Sequence, residues 1–217
     1  MHRQHALLPV LVATLSLVGG ELRAGQLGSR TAEEWIKALD SPARIQNLKI
    51  DETVAALKLK PGDVVADVGA GSGAFEARLA QAVSSTGTVY AVDVDQGLLD
   101  NIKRRAAEGR LTNVKTVLGR FTDPALPTRD VDVAFIYDVL HHIDDRATYL
   151  ESLAQYLKPT GRIALVDYVP GMGGHKDQPA LQVSPSKAKE LMAAAGFVPV
   201  EEIALFEDKY FVVYARR

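Results

Sequence analysis

The chain has no cysteine among its 217 residues, and it has no excess of positive charge, with a formal net charge of -2 at pH 7. The first absence excludes a disulfide framework, a zinc site with cysteine ligands and catalysis by a thiol. The second means that no overall basic field favours nucleic acid. Long hydrophobic runs are also missing, because the apolar stretch ALLPVLVATLSLVGG is shorter than the roughly 20 residues of a membrane-spanning helix. The composition predicts neither a nucleic-acid partner nor stable membrane insertion beyond an N-terminal leader.

The N-terminus has the layout of an export signal. A short basic segment, MHRQH, precedes ALLPVLVATLSLVGG, and ELRAG follows with small residues near its end. A charged segment, an apolar segment and a small-residue cleavage region define a secretory signal. Residues 1–24 are therefore predicted to be a signal peptide or membrane anchor, which implies a periplasmic, secreted or membrane-anchored protein. The alternative is a buried or disordered N-terminal helix in a cytoplasmic protein.

Residues 25–60 are predicted to form a helical arm or lid. In TAEEWIKALD, Thr31 is placed to cap a helix, and Glu34 stands at the capping-box spacing. SPARIQNLKI is expected to be a polar connection. Asp51 is expected to cap a second, short helix, ETVAALKL.

Residues 61–217 alternate between strand and helix patterns, which is typical of an α/β fold with helices on both faces of a parallel sheet. The last two strands have no helix between them, and this predicts an antiparallel hairpin at one edge. The predicted strands are Val64–Val68, Thr88–Val92, Val114–Leu118, Val131–Ile136, Arg162–Tyr168, Val198–Leu205 and Tyr210–Ala215. The predicted helices are Ala74–Val83, Gln96–Glu108, Asp145–Leu157 and Ser186–Ala195.

A glycine-rich loop follows the first of these strands in the sequence VVADVGAGSGAF. Gly69, Gly71 and Gly73 lie where the strand meets the next helix, and ligands of open α/β sheets bind at such edges. The pattern is G-x-G-x-G rather than the dinucleotide fingerprint G-x-G-x-x-G, and no P-loop lysine motif is present. Asp67 at the mouth of the loop favours a cationic ligand and disfavours a pyrophosphate.

A second acidic residue ends the second predicted strand, in VYAVDVD. Asp93 is placed to accept both hydroxyls of an adenosine ribose, as acids at this position do in dinucleotide folds. An acid at a strand end equally suits a turn or a helix cap. Asp95 is the candidate for capping the helix that follows.

These two motifs, together with DVAFIYDVLHHI and LKPTGRIALVDY further along, resemble the class I S-adenosylmethionine-dependent methyltransferases. The resemblance extends from about Asp51 to the C-terminus. It implies a doubly wound, mostly parallel seven-stranded sheet with an antiparallel C-terminal hairpin, the Rossmann-like methyltransferase fold. It further implies S-adenosylmethionine as methyl donor, S-adenosylhomocysteine as product and a small molecule as methyl acceptor.

The resemblance also assigns the residues that bind the cofactor. Asp67 or its loop would hold the amino-acid end, Asp93 the ribose hydroxyls, and the main chain near Asp138 the methionine moiety. After the third strand the family often has Gly-Asp, whereas this chain has an arginine, which cannot accept a hydrogen bond from adenine. Either Asp123 from a longer loop or main-chain groups near Phe121 would take that role. The predicted cofactor-binding residues are Asp67, Gly69, Ala70, Gly71, Gly73, Asp93, Val94, Arg120, Phe121 and Asp138.

The paired histidines after the fourth strand are candidates for chemistry at the acceptor. His141 is the predicted catalytic residue, as a general base, although either histidine could instead cap a helix or fill an apolar wall. A metal site built from both histidines with Asp144 and Asp145 is not predicted, since these acids suit the start of a helix. RIQNLK and VPGMGGHKDQP are predicted to overhang the site. The side chains that would face an acceptor are Arg44, Tyr168 and His175.

Three other functions compete with a small-molecule methyltransferase. An NAD-dependent oxidoreductase would need its third glycine one residue later. A nucleic-acid methyltransferase would carry an N/D-P-P-Y/F motif where this chain reads YDVLHH. A cofactor-binding protein without catalysis agrees with the leader, because the methyl donor is made in the cytoplasm.

Overall fold

Strands and helices alternate along the chain as the hydrophobic pattern predicts. The computed structural model describes residues 30–217, so the leader prediction for residues 1–24 lies outside the described residues. The helices are α1 (Ala32–Leu39), α2 (Pro42–Leu48), α3 (Ile50–Ala56), α4 (Glu76–Val83), α5 (Gln96–Glu108), α6 (Arg146–Ala154) and α7 (Pro185–Ala194). The strands are β1 (Val64–Val68), β2 (Thr88–Asp93), β3 (Val114–Leu118), β4 (Val131–Tyr137), β5 (Leu157–Tyr168), β6 (Phe197–Glu202) and β7 (Lys209–Arg216).

The seven strands form one sheet in the order β3-β2-β1-β4-β5-β7-β6. The pairs β1–β2, β2–β3, β1–β4 and β4–β5 are parallel, whereas β7 runs antiparallel to both β5 and β6. This confirms the predicted mostly parallel sheet with its antiparallel C-terminal hairpin. The chain leaves β1 for one side of the sheet and returns on the other side as β4. The crevice at the carboxyl ends of β1 and β4 is therefore the switch point at which such folds bind ligands.

The sheet is buried on both faces, which explains the nearly continuous apolar composition of its central strands. Alternate residues of β1 pack on opposite sides: Ala66 and Val68 on one, Val65 on the other. The first face packs against α6 and α7 through side chains such as Leu150 and Met192. The opposite face is covered by α3 and α4, with α5 packing at the β2–β3 side. Helices on both faces leave the strand ends open for a ligand.

The N-terminal arm is more helical than the sequence suggested. The capping box of α1 is confirmed, because the Thr31 side chain accepts a hydrogen bond from the Glu34 amide and the Glu34 carboxylate accepts one from the Thr31 amide. The prediction that SPARIQNLKI is a polar connection was wrong, since α2 occupies most of it. Pro42 is preorganised for the first helical position, and Leu48 is buried in the core with Ile45 packed beside it.

The start of the next helix also differs from the prediction. α3 begins at Ile50 after Lys49, whose φ is 45°, so Asp51 lies inside the first turn rather than capping it. Its carboxylate is paired with Arg78 of α4 at 2.6 Å. None of the helices within residues 30–217 has the length and hydropathy that a bilayer span requires.

The remaining differences concern the ends of elements. β5 begins at Leu157 instead of Arg162, because Leu157 pairs with Val131 of β4 before the register shifts. The lysine-proline-threonine-glycine segment that was predicted to separate helix from strand is therefore part of β5. β7 inserts between β5 and β6, and this places the last strand of the chain inside the sheet.

Candidate active site

The candidate site lies at the carboxyl edge of the sheet, where β1, β2, β4 and β5 end side by side. Asp67 of β1 is in register with Ala91 of β2 and Phe135 of β4. The glycine loop that follows β1 is anchored to the neighbouring strand, because the amides of Gly69 and Ala70 both donate to the Val92 carbonyl, at 2.8 and 2.9 Å. Residues far apart in sequence are thus brought to one crevice.

The glycine loop needs its glycines for two different reasons. At Gly69 a Cβ atom would lie 2.3 Å from Val139 Cγ2, so only a bare backbone allows this close approach to the segment after β4. At Gly71 the backbone has a φ of 58°, a left-handed conformation that favours glycine. Near Gly71 an added Cβ would meet the end of the Leu39 side chain at 3.1 Å and, at an ordinary contact distance of 3.9 Å, the Gly69 carbonyl oxygen. The loop therefore presents an open main-chain surface, which α1 partly covers.

Asp93 is held by main-chain donors at the end of β2. One carboxylate oxygen accepts from the Gly71 amide at 2.9 Å and the other from the Asp95 amide at 3.0 Å. Burial raises the pKa of Asp93, and these amides oppose the rise. Asp95 caps α5 by accepting from the Gly97 and Leu98 amides, as predicted. Each Asp93 oxygen retains a lone pair, so the carboxylate can still receive two hydroxyl donors.

A second carboxyl group, from Glu76, faces Asp67 below the glycine loop. Both residues are buried, at 3% exposure each. The pKa of Asp67 is raised to about 7, mainly by burial and to a smaller extent by the nearby Asp93, while interaction with Glu76 opposes the rise. Burial also raises the pKa of Glu76 well above its ordinary range, with repulsion from Asp67 as a second cause. At neutral pH the pair therefore favours a bound proton or a bound cation.

These carboxyls provide the test of whether an adenosyl amino acid fits the crevice. Asp67 Oδ2, both Glu76 carboxyl oxygens and Ser72 Oγ are buried without a hydrogen-bond partner. Buried polar atoms in that state are destabilising unless a ligand or water satisfies them. An ammonium group would satisfy the carboxyl oxygens, and a ribose diol would satisfy Asp93. The donor and acceptor chemistry of the crevice thus fits S-adenosylmethionine.

The loop after β3 borders the same crevice, because the Gly119 amide donates to the Asp93 carbonyl at 2.9 Å. Arg120 forms an isolated bridge with Asp123. The Asp123 carboxylate accepts from the Ala125 amide and the Tyr156 hydroxyl, so it is engaged within its own loop and with the end of α6. Phe121 is 49% exposed. The Asp123 carboxylate thus already has hydrogen-bond partners, and the choice between it and groups near Phe121 for binding adenine stays a prediction. Val94, at the end of β2, is half-buried next to Asp93.

Asp138 follows β4 with a φ of 55° and forms a buried ion pair. Both of its carboxylate oxygens accept from Lys209 Nζ at 3.0 Å. Burial raises the pKa of Asp138, and the Lys209 charge opposes the rise. Lys209 Nζ also lies 3.2 Å from the centre of the Tyr168 ring. The Asp138 amide donates to the Val166 carbonyl, so that group is already committed to the sheet edge.

His141 lies in a short 3-10 turn, Leu140–His142, and forms a buried pair with Asp167 at the end of β5. Its Nδ1 is 2.6 Å from Asp167 Oδ1, and its amide donates to Asp167 Oδ2 at 3.2 Å. Because a carboxylate only accepts, Nδ1 carries the proton in a neutral ring, which leaves the lone pair on Nε2. The pair therefore orients an imidazole whose free nitrogen can accept a proton or bind a ligand.

Two further histidines adjoin His141. Ring centres are separated by 4.1 Å between His141 and His142, and by 5.2 Å between His141 and His175. Desolvation of the His142 ring lowers its pKa to about 4 although the residue is exposed at the surface, and the neighbouring His141 and His175 contribute to the decrease. His142 is therefore a neutral imidazole at physiological pH.

The structure places the predicted site residues at one edge of the sheet and adds three that the sequence reading missed. Asp167 carried a detectable signal, since it is an acid at the carboxyl end of a strand, as Asp93 is. Glu76 could have been noticed three residues after Gly73. Lys209 had no local signal, because only the antiparallel insertion of β7 brings it to Asp138.

The fold is that of a doubly wound α/β protein, and its crevice fits a nucleoside that bears an ammonium group. The model for the methyltransferase domain family matches residues 66–165, which contain the glycine loop, Asp93 and His141. Residues 66–165 thus match the methyltransferase domain family, and the fold is that of class I S-adenosylmethionine-dependent methyltransferases.

Individual relatives agree with this assignment. The 2-phytyl-1,4-naphtoquinone methyltransferase of Trichormus variabilis is 34% identical over 110 residues, which are 50% of this chain and 48% of the relative. The nocamycin O-methyltransferase of Saccharothrix syringae is 33% identical over 111 residues, covering 51% and 40%. The chain thus spans about half the length of the curated relatives that it matches. A SAM-dependent methyltransferase structure from Aquifex aeolicus is 25% identical, with a TM-score of 0.75, covering 87% of this chain and 100% of the other.

Proposed function

We propose that the protein transfers a methyl group from S-adenosylmethionine to a small-molecule acceptor. The observation that carries the proposal is the crevice in which Asp93, held by the Gly71 and Asp95 amides, faces the open glycine loop above the Asp67–Glu76 pair. An NAD-dependent oxidoreductase is less consistent with this crevice, because its loop reads G-x-G-x-G rather than the dinucleotide fingerprint G-x-G-x-x-G.

The residues of the crevice would bind and orient the donor. The Asp93 carboxylate would accept from the ribose hydroxyls, and Asp67 with Glu76 would receive the ammonium group. Phe121 and Leu118, which are 49% and 53% exposed, supply apolar surface for the adenine ring. When bound, the cofactor supplies a methyl group that is already activated on a sulfonium, so the protein's task is mainly to position both partners and exclude water.

The acceptor side is formed by the end of β4, the end of β5 and the segment between β5 and α7. Val139 contacts the glycine loop at Gly69, which places the following Leu140–His142 turn next to the donor crevice. The His141–Asp167 pair belongs to this side and leaves Nε2 as the unprotonated nitrogen, and we assign His141 to removal of the acceptor's proton. Val169 and Met172 are exposed apolar residues nearby, at 36% and 44%, which suits an apolar acceptor.

The acceptor class that we propose is an aromatic molecule bearing a hydroxyl or quinol group. The relatives named above include a naphthoquinone methyltransferase and an O-methyltransferase. A quinol or phenol has an ionisable hydroxyl that a general base can activate. The acceptor is best sought by measuring donor turnover with naphthoquinols and catechols first, and with carboxylates and amines as counter-screens.

Cofactor binding tests the proposal directly. We expect calorimetry to detect S-adenosylhomocysteine binding and no NAD binding. Asp93→Ala is expected to weaken S-adenosylhomocysteine by about 1–3 kcal/mol, the scale of lost charge-assisted hydrogen bonds. Asp63→Ala, on the connection before β1 and remote from the crevice, serves as a matched control. Equal affinity for the folded Asp93→Ala protein and its parent would remove Asp93 from the site.

We also propose that the protein works outside the cytoplasm or at a membrane, on the basis of the leader sequence alone. Cell fractionation of the full-length chain should recover it with the membrane or periplasm, with a mature N-terminus near Gly25 if the leader is cleaved. Intact cytoplasmic protein that begins at Met1 would contradict this proposal, and it would leave the methyl donor readily available.

A further inference from the structure

All the histidines that follow residue 5 meet at one place in the fold. The chain has five, of which His2 and His5 lie outside the described residues. The other three, His141, His142 and His175, each offer a ring nitrogen within 4.8 Å of the others. The first two come from the turn after β4 and the third from the segment after β5, so the fold rather than sequence adjacency brings the third imidazole in.

Two of these imidazoles have a partner that orients them for coordination. The Asp167 carboxylate accepts from His141 Nδ1 at 2.6 Å, which directs Nε2 away from the carboxylate. His175 Nδ1 lies 3.3 Å from Gln178 Oε1, an acceptor that likewise leaves Nε2 free. Histidines that bind metals almost always donate their second nitrogen to such an outer partner.

The segment that carries His175 is itself fixed in place. The Gln182 side-chain amide donates to the carbonyls of His175 and Lys176, at 3.1 and 2.7 Å, and its oxygen accepts from the Gly171 amide. Gly173 packs against the Tyr168 ring so closely that a Cβ atom would lie 2.4 Å from it. His175 is therefore held over His141 by contacts that do not involve either imidazole.

The space beside the cluster suits a very small occupant. A cavity of about 10 Å³ adjoins His141 and His175, though not His142, and its other lining residues are Asp167, Tyr168, Met172, Leu181, Gln182 and Val183. That is about the volume of one water-sized sphere. The ring of an aromatic acceptor is too large for it, whereas a single ion or a single water fits.

We propose that His141, His142 and His175 bind a divalent transition-metal ion, with Zn²⁺ as the best match. Three neutral imidazoles are a common zinc ligand set, and they leave a fourth position for water or a substrate oxygen. The buried Asp167 offsets the ion's charge, while Asp138 and Lys209 neutralise each other nearby. Arg146 donates to the carbonyls of Leu140 and His141, and its positive charge disfavours a cation at this place.

The geometry requires only side-chain adjustment. Tetrahedral bonds of about 2.0–2.1 Å bring ligand nitrogens to about 3.3 Å from each other. The ring nitrogens of the three histidines now lie within 4.8 Å of one another. Rotation of the His142 side chain, which is exposed, and of the His175 side chain, which is half-buried, would bring them to that distance. His141 can stay where Asp167 holds it.

The ion would change how the acceptor is activated. With the ion bound, His141 Nε2 is a ligand. An acceptor hydroxyl that reaches the fourth position, with its ring outside the small cavity, would then have its pKa lowered by the ion instead of losing its proton to the imidazole. This role of the ion in activating the acceptor rests on the proposed methyltransferase function, whereas metal binding itself does not.

The test uses untagged full-length protein that has been stripped with a chelator and titrated with Co²⁺. We expect one Co²⁺ per chain by elemental analysis, with the visible absorption of a four-coordinate site. His175→Ala and His142→Ala should each weaken binding by more than the roughly 10- to 100-fold expected for Asp167→Asn, which removes only an outer partner. The double variant His2→Ala/His5→Ala should bind as the parent does.

Unchanged Co²⁺ affinity in folded His175→Ala and His142→Ala would overturn the proposal, as would loss of binding in the His2→Ala/His5→Ala control alone. Far-UV circular dichroism establishes that each variant is folded, and His142, being exposed, is the substitution least disruptive to packing. S-adenosylhomocysteine calorimetry on the same samples separates the two proposals. Co²⁺ binding without S-adenosylhomocysteine binding would reject the methyltransferase function and keep the metal site.

Discussion

Gly71→Val is expected to abolish S-adenosylhomocysteine binding. The residue has a φ of 58°, its amide donates to Asp93, and the space before it is open apart from the end of the Leu39 side chain. A valine would fill that space with a branched side chain and disfavour the loop conformation that lets the main chain reach a ligand. Calorimetry with the cofactor product should then show no heat of binding at concentrations that saturate the parent protein.

A control is needed because a non-glycine residue at positive φ also destabilises the fold, by about 1–3 kcal/mol. Gly196, just after α7, has a φ of 89° and no atom within 4 Å of an added Cβ. Gly196→Val should therefore lose stability in thermal unfolding but retain cofactor binding. If Gly71→Val bound as tightly as its parent, the glycine loop would not be the cofactor site.

His141→Ala is expected to lower turnover by about 10²–10⁴-fold, the usual contribution of a positioned proton acceptor, with cofactor affinity nearly unchanged. Turnover and cofactor affinity are expected to respond differently because the two sets of contacts lie at different strand ends. His141 is tied to Asp167 at the β5 end, whereas the cofactor contacts lie at the ends of β1 and β2. The measurement is kcat with the acceptor that the screen identifies, alongside S-adenosylhomocysteine calorimetry.

The control for this variant addresses the buried position of His141, which is only 3% exposed. His141→Asn keeps an amide that can donate to Asp167, so it preserves the pairing while removing the base. Both variants should lose turnover to a similar degree. Recovery of full turnover in His141→Asn would assign the histidine a structural role, and loss of the parent's turnover on chelator treatment would indicate that the bound ion, rather than a free imidazole, activates the acceptor.

Much of the fold could be predicted because its determinants are local. β1, β3 and α5 were predicted with the residue bounds that the structure has, since each is a clear apolar or amphipathic pattern between turn residues. The Thr31 capping box and the Asp95 cap were predicted for the same reason, because a cap acts within three residues. α2 was not predicted because RIQNLK is mostly polar, and only the tertiary structure shows that Leu48 is buried in the core with Ile45 packed against it.

The amino-acid sequence by itself determined the order of strands and helices, the bare loop after β1 and the acid at the end of β2. Only the tertiary structure decided which groups face each other in the site. His141 meets Asp167 across 26 residues, and Asp138 meets Lys209 across 71. His175 joins the paired histidines from a separate segment. The physical reason is that periodicity and capping report neighbours along the chain, whereas these pairs depend on the order in which the sheet assembles its strands.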